Sequence, residues 1–257
     1  MRAQTLPAAA GWNWIPAGFL IFKRNPPMLS SLVVSYWFTV LLLNILPVIG
    51  SLAAALVVPG LSVGLMQAAR NLDRGIPVGL QTLFGGLKEN PRTLVGLGAL
   101  NLACTMAIVA LASQLDDGNL LKYMLANSKA ERTLIEDADF TLPILFAMLL
   151  MTPVMMAYWF APVLAAWHRL PLGKSLFFSF IACWINWRAF LVFSVGLLLL
   201  AGIVPGVLMG ILLMVLPGAP GLVMAAVMVP MALVVAPIIF ASFYASYRDI
   251  FGISEIV

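Results

Sequence analysis

Fifty-nine consecutive residues, Ala189 to Tyr247, contain no Asp, Glu, Lys or Arg, and a second charge-free run, Asn25 to Ala69, covers 45 residues. A helix crosses the hydrocarbon of a bilayer with roughly 20 apolar residues. Each run therefore holds two crossings and a turn. The turns fall where proline removes a helix donor and glycine permits a sharp bend, at Leu46-Pro47-Val48-Ile49-Gly50 and Leu216-Pro217-Gly218-Ala219-Pro220-Gly221. Over the whole chain 63% of residues are apolar and 9% charged, where a soluble domain carries about a quarter charged. A soluble enzyme, a disordered chain and a nucleic-acid-binding module are excluded on that balance.

The spacing predicts six spans, near Met28–Leu46, Ile49–Ala69, Thr93–Leu115, Phe140–Trp167, Ala189–Leu216 and Leu222–Tyr247. The fold class is all-α, a polytopic membrane protein with added short interfacial helices. A polar stretch, Asp116 to Asp139, joins the third and fourth spans. Pro143, Pro153 and Pro162 predict kinks in the fourth. The N-terminus lacks a long apolar segment, so no cleaved signal peptide is expected.

Six spans put both termini on one side. That side carries Arg2, Lys23, Arg24, Arg70, Arg74, Lys88, Arg92, Arg169, Lys174, Arg188 and Arg248, and the other only Lys122, Lys129 and Arg132. Basic residues gather on the cytoplasmic side of membranes, so both termini are expected to be cytoplasmic. The net charge of +4 reads as attachment to an anionic leaflet, without nucleic acid as a partner.

Three short apolar-aromatic segments precede spans and end in Asn with a basic residue nearby: Gly18 to Pro26, Leu80 to Arg92 and Leu176 to Arg188. Each reads as a helix in the membrane interface, aromatic side in the acyl boundary and basic end wet. Asn25 and Asn90 are placed to cap the following spans, with Pro at the first helical position. Pro59 precedes Arg70 by eleven residues, as Pro237 precedes Arg248. The pattern suggests three repeats of interfacial helix plus two-span hairpin within a single transmembrane domain, at residues 11–70, 76–169 and 171–249.

Chemistry is sparse. Predicted spans lack ionisable acids and bases, which counts against a proton-coupled transporter. His168 is the sole histidine, so no multi-histidine metal site forms, and beside Trp167 and Arg169 it reads as a span end. Cys104 and Cys183 suggest no disulfide framework. No catalytic, metal or cofactor-binding residue is expected, and no enzyme. Asn44, Asn101, Thr39, Gln67, Thr105, Thr152 and Ser194 read as hydrogen-bonding residues between helices. Met148, Met151, Met155 and Met156 share a face; packing is the expectation, with a Cu(I) path as the alternative. Gly202, Gly206 and Gly210 form a ladder suited to close helix packing, within the chain or in a homo-oligomer, and Gly60 and Gly64 offer a shorter one. Asp116, Asp117, Glu131, Glu136, Asp137 and Asp139 read as a solvated loop rather than a cation site. Trp12, Trp14, Trp167, Trp184 and Trp187 read as an aromatic belt. Plain anchoring is the expectation for this belt, with a lipid-headgroup contact at Arg24, Arg92, Arg169 and Arg188 with Trp184 and Trp187 as the alternative.

The segments Gly11-Trp12-Asn13-Trp14, Phe22-Lys23-Arg24-Asn25-Pro26, Pro47-Val48-Ile49-Gly50, Gly64 to Arg70, and Trp159 to His168 resemble an uncharacterised group of proteobacterial inner-membrane proteins. The layout is similar to the YciC-type six-span membrane proteins. The resemblance covers nearly the whole chain. It implies a bacterial inner membrane and six helices, and brings no catalytic residues with it. The function expected is that of a non-enzymatic membrane component: a scaffold, a partner of other membrane proteins, or a support for envelope maintenance. The alternative is a carrier or channel for a small or lipid-like solute, with a mid-membrane cavity lined by Asn44, Asn101, Thr152 or the methionine face. Partners expected are membrane lipids and a membrane-protein partner or second copy.

Overall fold

The computed structural model describes residues 3–46, 49–125 and 140–252. Arg2, Pro47, Val48 and the loop residues Lys129, Glu131, Arg132, Glu136, Asp137 and Asp139 lie outside them. Among the described residues the regular structure is helical throughout, and six helical stretches have the length and apolarity to span a bilayer: Pro26–Asn44, Ile49–Asp73, Pro91–Asp116, Thr141–Trp167, Trp187–Val215 and Pro220–Phe251. The six predicted spans are thus present, with ends shifted by a few residues.

The order is α1 (Ala9–Arg24), α2 (Pro26–Asn44), α3 (Ile49–Asp73), α4 (Gln81–Gly85, extended by a tight turn Gly86–Lys88), α5 (Pro91–Ala112), α6 (Asn119–Leu125), α7 (Thr141–Tyr158), α8 (Ala161–Trp167), α9 (Leu172–Ile185), α10 (Trp187–Leu198), α11 (Val204–Val215), α12 (Pro220–Pro230) and α13 (Ala236–Phe251). Wide π turns, Leu199–Ile203 and Met231–Val235, join α10 to α11 and α12 to α13. The helix α6 in the polar connection has no counterpart in the sequence reading; Asp116 Oδ2 accepts the Leu120 N–H at 2.7 Å at its start.

Proline shapes the spans through the carbonyl it leaves without a donor, four residues back. Pro237 frees the Leu233 carbonyl, and the Ser30 hydroxyl of α2 donates to it. Pro59 frees the Ala55 carbonyl, and Gly98 of α5 sits so close that a Cβ there would collide with it. The break between α7 and α8 falls just before Pro162, and a serine joins the proline in making it. The Phe160 N–H donates to Ser179 Oγ at 2.9 Å, and the Ser179 hydroxyl donates to the Met156 carbonyl at 2.9 Å. One serine from α9 is inserted into a single rung of the helix, which opens it.

The second helices of the three hairpins, α3, α8 and α13, form the centre. Each short helix lies against one of them: α4 on α3, α9 on α7 and α8, and α1 on α13. The contacts are made by small residues. Gly18 of α1 meets the Ser242 side chain and the Ile238 carbonyl, Gly11 meets the Ala189 carbonyl, and Gly64 of α3 meets the Leu83 backbone, each too close for a Cβ. This end also gathers Arg24, Arg70, Arg92, Arg169, Arg188 and Arg248, and is called the basic end below.

Of the short helices, α1 is the one with an aromatic face held in protein, while Phe84 of α4 and Phe177 and Trp184 of α9 stay exposed. α1 buries Gly11, Trp14, Gly18, Ile21 and Phe22 in protein. Its aromatic face looks the same whether oil or a neighbouring helix covers it, so sequence alone assigned it to lipid. Away from the basic end the packing thins. α11 buries no residue, and its main neighbour is α12.

Candidate functional site at the basic end

Asp73, in the last turn of α3, organises the polar contacts. Its Oδ2 accepts from Arg248 Nη1 at 2.9 Å and from Tyr244 Oη at 3.3 Å, and its Oδ1 lies 3.6 Å from Arg24 Nη2. Arg24 also donates to the Leu72 carbonyl at 2.8 Å and to the Asp73 carbonyl, so a cation from α1 covers the open carbonyls of the α3 C-terminus. Asp249 takes Arg248 Nε at 3.2 Å and the Trp14 indole N–H at 3.2 Å.

Three asparagines tie the short helices down. Asn25 Oδ1 accepts the Met28 N–H at 3.3 Å, the cap expected from the sequence. Asn90, in the left-handed region at φ 47°, instead donates to the Ala165 carbonyl at 2.9 Å and accepts from Thr93 Oγ1 at 3.0 Å, joining α5 to α8. Asn186 is buried and fully used: it accepts the Leu6 N–H at 2.8 Å and donates to the Gln4 and Ala182 carbonyls, both at 2.9 Å. The N-terminal segment is held across this end, where the Gln4 N–H also reaches the Ile250 carbonyl at 2.8 Å.

Between α3, α8 and α13 stands a second group. The Arg70 guanidinium lies over the Trp167 ring, 4.6 Å from its centroid. Trp167 packs edge-on to Tyr247 at 5.1 Å. His168 Nε2 shares a hydrogen bond with Tyr247 Oη at 2.7 Å. Burial, and then the neighbouring Arg70 charge, hold the His168 pKa below its ordinary value, so the ring is neutral near pH 7. Deeper in, Trp159, Phe190, Phe193 and Phe243 pack edge to face with centroids 4.9–6.5 Å apart, and Phe160 lies tilted against Phe190 at 6.0 Å.

The residues of the alternative headgroup contact separate. Arg92, Arg169 and Arg188 are exposed, and the Arg188 guanidinium sits 5.4 Å from the exposed Trp187 ring. Trp184 stacks on Phe180 at 5.9 Å and is exposed. Arg24 is committed to Asp73 and the carbonyls of α3. Of the expected tryptophan belt, Trp14 is fully buried and Trp167 half-buried under Arg70, while Trp12, Trp184 and Trp187 are more than half exposed. In the glycine ladder, a Cβ at Gly206 or Gly210 would meet nothing within 4 Å, and one at Gly202 only Leu198 of the same chain stretch.

The residues expected around a transport cavity do not converge. Asn44 and Thr152 are exposed and donate back to Val40 and Met148 of their own helices at 2.8 and 2.9 Å, and Asn101 is exposed. Met148 and Met155 face outward, while Met156 packs on the core. A wide groove of about 610 Å³ runs along α2, lined by Val34, Trp37, Phe38, Val40, Leu41 and Asn44. Both cysteines are free; burial pushes the Cys183 thiol up to about 12. Sequence reasoning missed Asp73, Asn186, Ser179 and Arg70. A lone acid flanked by Arg70 and Arg74 was the one available signal among them.

No family profile matches the chain, and no solved structure matches it. A probable inner membrane protein of Burkholderia thailandensis is similar to it, 36% identical over 262 residues that cover 99% of this chain and 96% of the relative. With that likeness running from end to end, the chain belongs to the same family of inner-membrane proteins and is itself a multi-pass protein of that membrane.

Proposed function

We propose that the chain is a non-enzymatic component of the inner membrane that works by association with another membrane helix, the first candidate being a second copy. One observation carries this reading: no residue in the most apolar window of the span Trp187–Val215 is buried, and its Gly206–Gly210 face meets no side chain among the described residues. Lipid gives large apolar residues little reason to associate, whereas a glycine face lets two backbones approach and gain dispersion contacts. The ladder is thus read as an interface between chains. We assign the basic end to the cytoplasm on its excess of Lys and Arg. The three short helices, each seated on the second span of a hairpin, fit an origin in three units. The YciC-type likeness rests on layout.

Donor- and acceptor-labelled copies reconstituted at high lipid-to-protein ratio test the reading. Energy transfer above the random level, lost in Gly206→Leu/Gly210→Leu while the thermal midpoint is kept, is the expected result. A lone wild-type chain, with no protein captured in cells by a photocrosslinking residue at position 206, would contradict it.

A further inference from the structure

At the basic end, the described acids near the centre are already used: Asp73 by Arg24, Arg248 and Tyr244, and Asp249 by Arg248 and Trp14. Arg70 stands one turn before Asp73, half-buried and stacked on Trp167. Its guanidinium has five N–H donors, and among the described residues none reaches an acceptor. Arg74 follows in the turn just past the end of α3, exposed and near enough for its charge to act on Arg70, and its side chain likewise has no acceptor among them. His168 borders this pair, held neutral by burial and by Arg70 itself. Two guanidinium groups, one held over the Trp167 ring, offer forks suited to a tetrahedral oxyanion. A half-buried cation without an acceptor is costly, and a dianion would offset both charges at once.

We propose that Arg70 and Arg74, with the Trp167 ring as support, form a binding site for a phosphate group at the end of the central helices. A phospholipid headgroup and a free phosphate compound share this chemistry. The proposal does not call on the exposed Arg92 and Arg188, and is independent of association through α11.

The purified full-length chain in dodecyl maltoside, stripped of lipid, is titrated with inorganic phosphate against chloride at equal ionic strength, reading the thermal midpoint. In parallel, native mass spectrometry reads retention of phosphatidylglycerol added to the same sample. A free-phosphate site predicts saturable stabilisation by inorganic phosphate. A headgroup site predicts one retained phosphatidylglycerol with little response to phosphate. In either arm Arg70→Gln weakens binding about tenfold or more, Arg70→Lys less, and Arg92→Gln leaves it unchanged. Arg70→Lys and Arg74→Gln carry the test if Arg70→Gln does not fold. Equal responses of wild type, Arg70→Gln and Arg92→Gln in both arms, or no response in either, would overturn the proposal.

Discussion

α13 and α11 belong to the same hairpin, yet α13, with Ser242, Ser246, Arg248 and Asp249 among its apolar residues, buries ten of its sixteen residues, and α11, apolar throughout, buries none of its twelve. The more apolar helix is the less buried one. Residue size and hydrogen bonding separate them. The buried face of α13 includes Ala241, Ser242, Ala245 and Ser246, small enough to admit Gly18 of α1, and its Arg248 and Tyr244 reach Asp73. α11 offers Val, Leu, Ile and Met, for which lipid is as good a neighbour as protein. In water such side chains would drive burial. In a bilayer, close backbone approach and polar contacts decide which half of a helix is packed.

Paired substitutions break or sharpen this contrast, read as thermal unfolding in one detergent. Trp14→Ala removes a fully buried ring and its bond to Asp249, and costs about 3–5 kcal/mol; Trp184→Ala, on the exposed surface, leaves the midpoint nearly fixed. Gly64→Leu drives a side chain into the Leu83 backbone and costs about 3 kcal/mol. Gly206→Leu, facing open space within the chain, stays within about 0.5 kcal/mol. Equal losses from the two glycine variants would erase the distinction between the halves. Ser179→Ala leaves the open rung between Met156 and Phe160 without its bridge and costs about 1–3 kcal/mol.

Acidification gives the smallest effect. The folded pKa of His168 is lowered from 6.5, so the folded state binds this proton less readily than the unfolded one. Its contribution is present above pH 6.5 and lost as pH falls below it. In phosphate-free buffer the wild-type midpoint should drop as pH falls below 6.5, and His168→Gln should flatten that step.

The spans were legible because the charge-free runs and Pro-Gly turns have no other reading at such length. Asn25 was legible as a cap because Pro26 follows it. The burial of Trp14 was not, since an apolar face does not say what covers it. The working glycines were hidden for a related reason: Gly202, Gly206 and Gly210 make a regular ladder but meet no other helix in the chain, whereas Gly11, Gly18 and Gly98 follow no ladder and are set by the path of a partner helix. Arg70 read as one more basic residue at a span end. Only the fold shows that Asp73, three residues on, is taken by Arg24 and Arg248 from other helices.

Hydrogen exchange of the purified chain in mild detergent, resolved by peptide, tests the division most directly, because exchange reports local opening along each helix. Amides of residues 61–72 and 238–250 should remain protected after those of residues 199–235 have exchanged. Equal protection of these stretches, or earlier exchange in residues 61–72 and 238–250, would contradict a fold held together at its basic end.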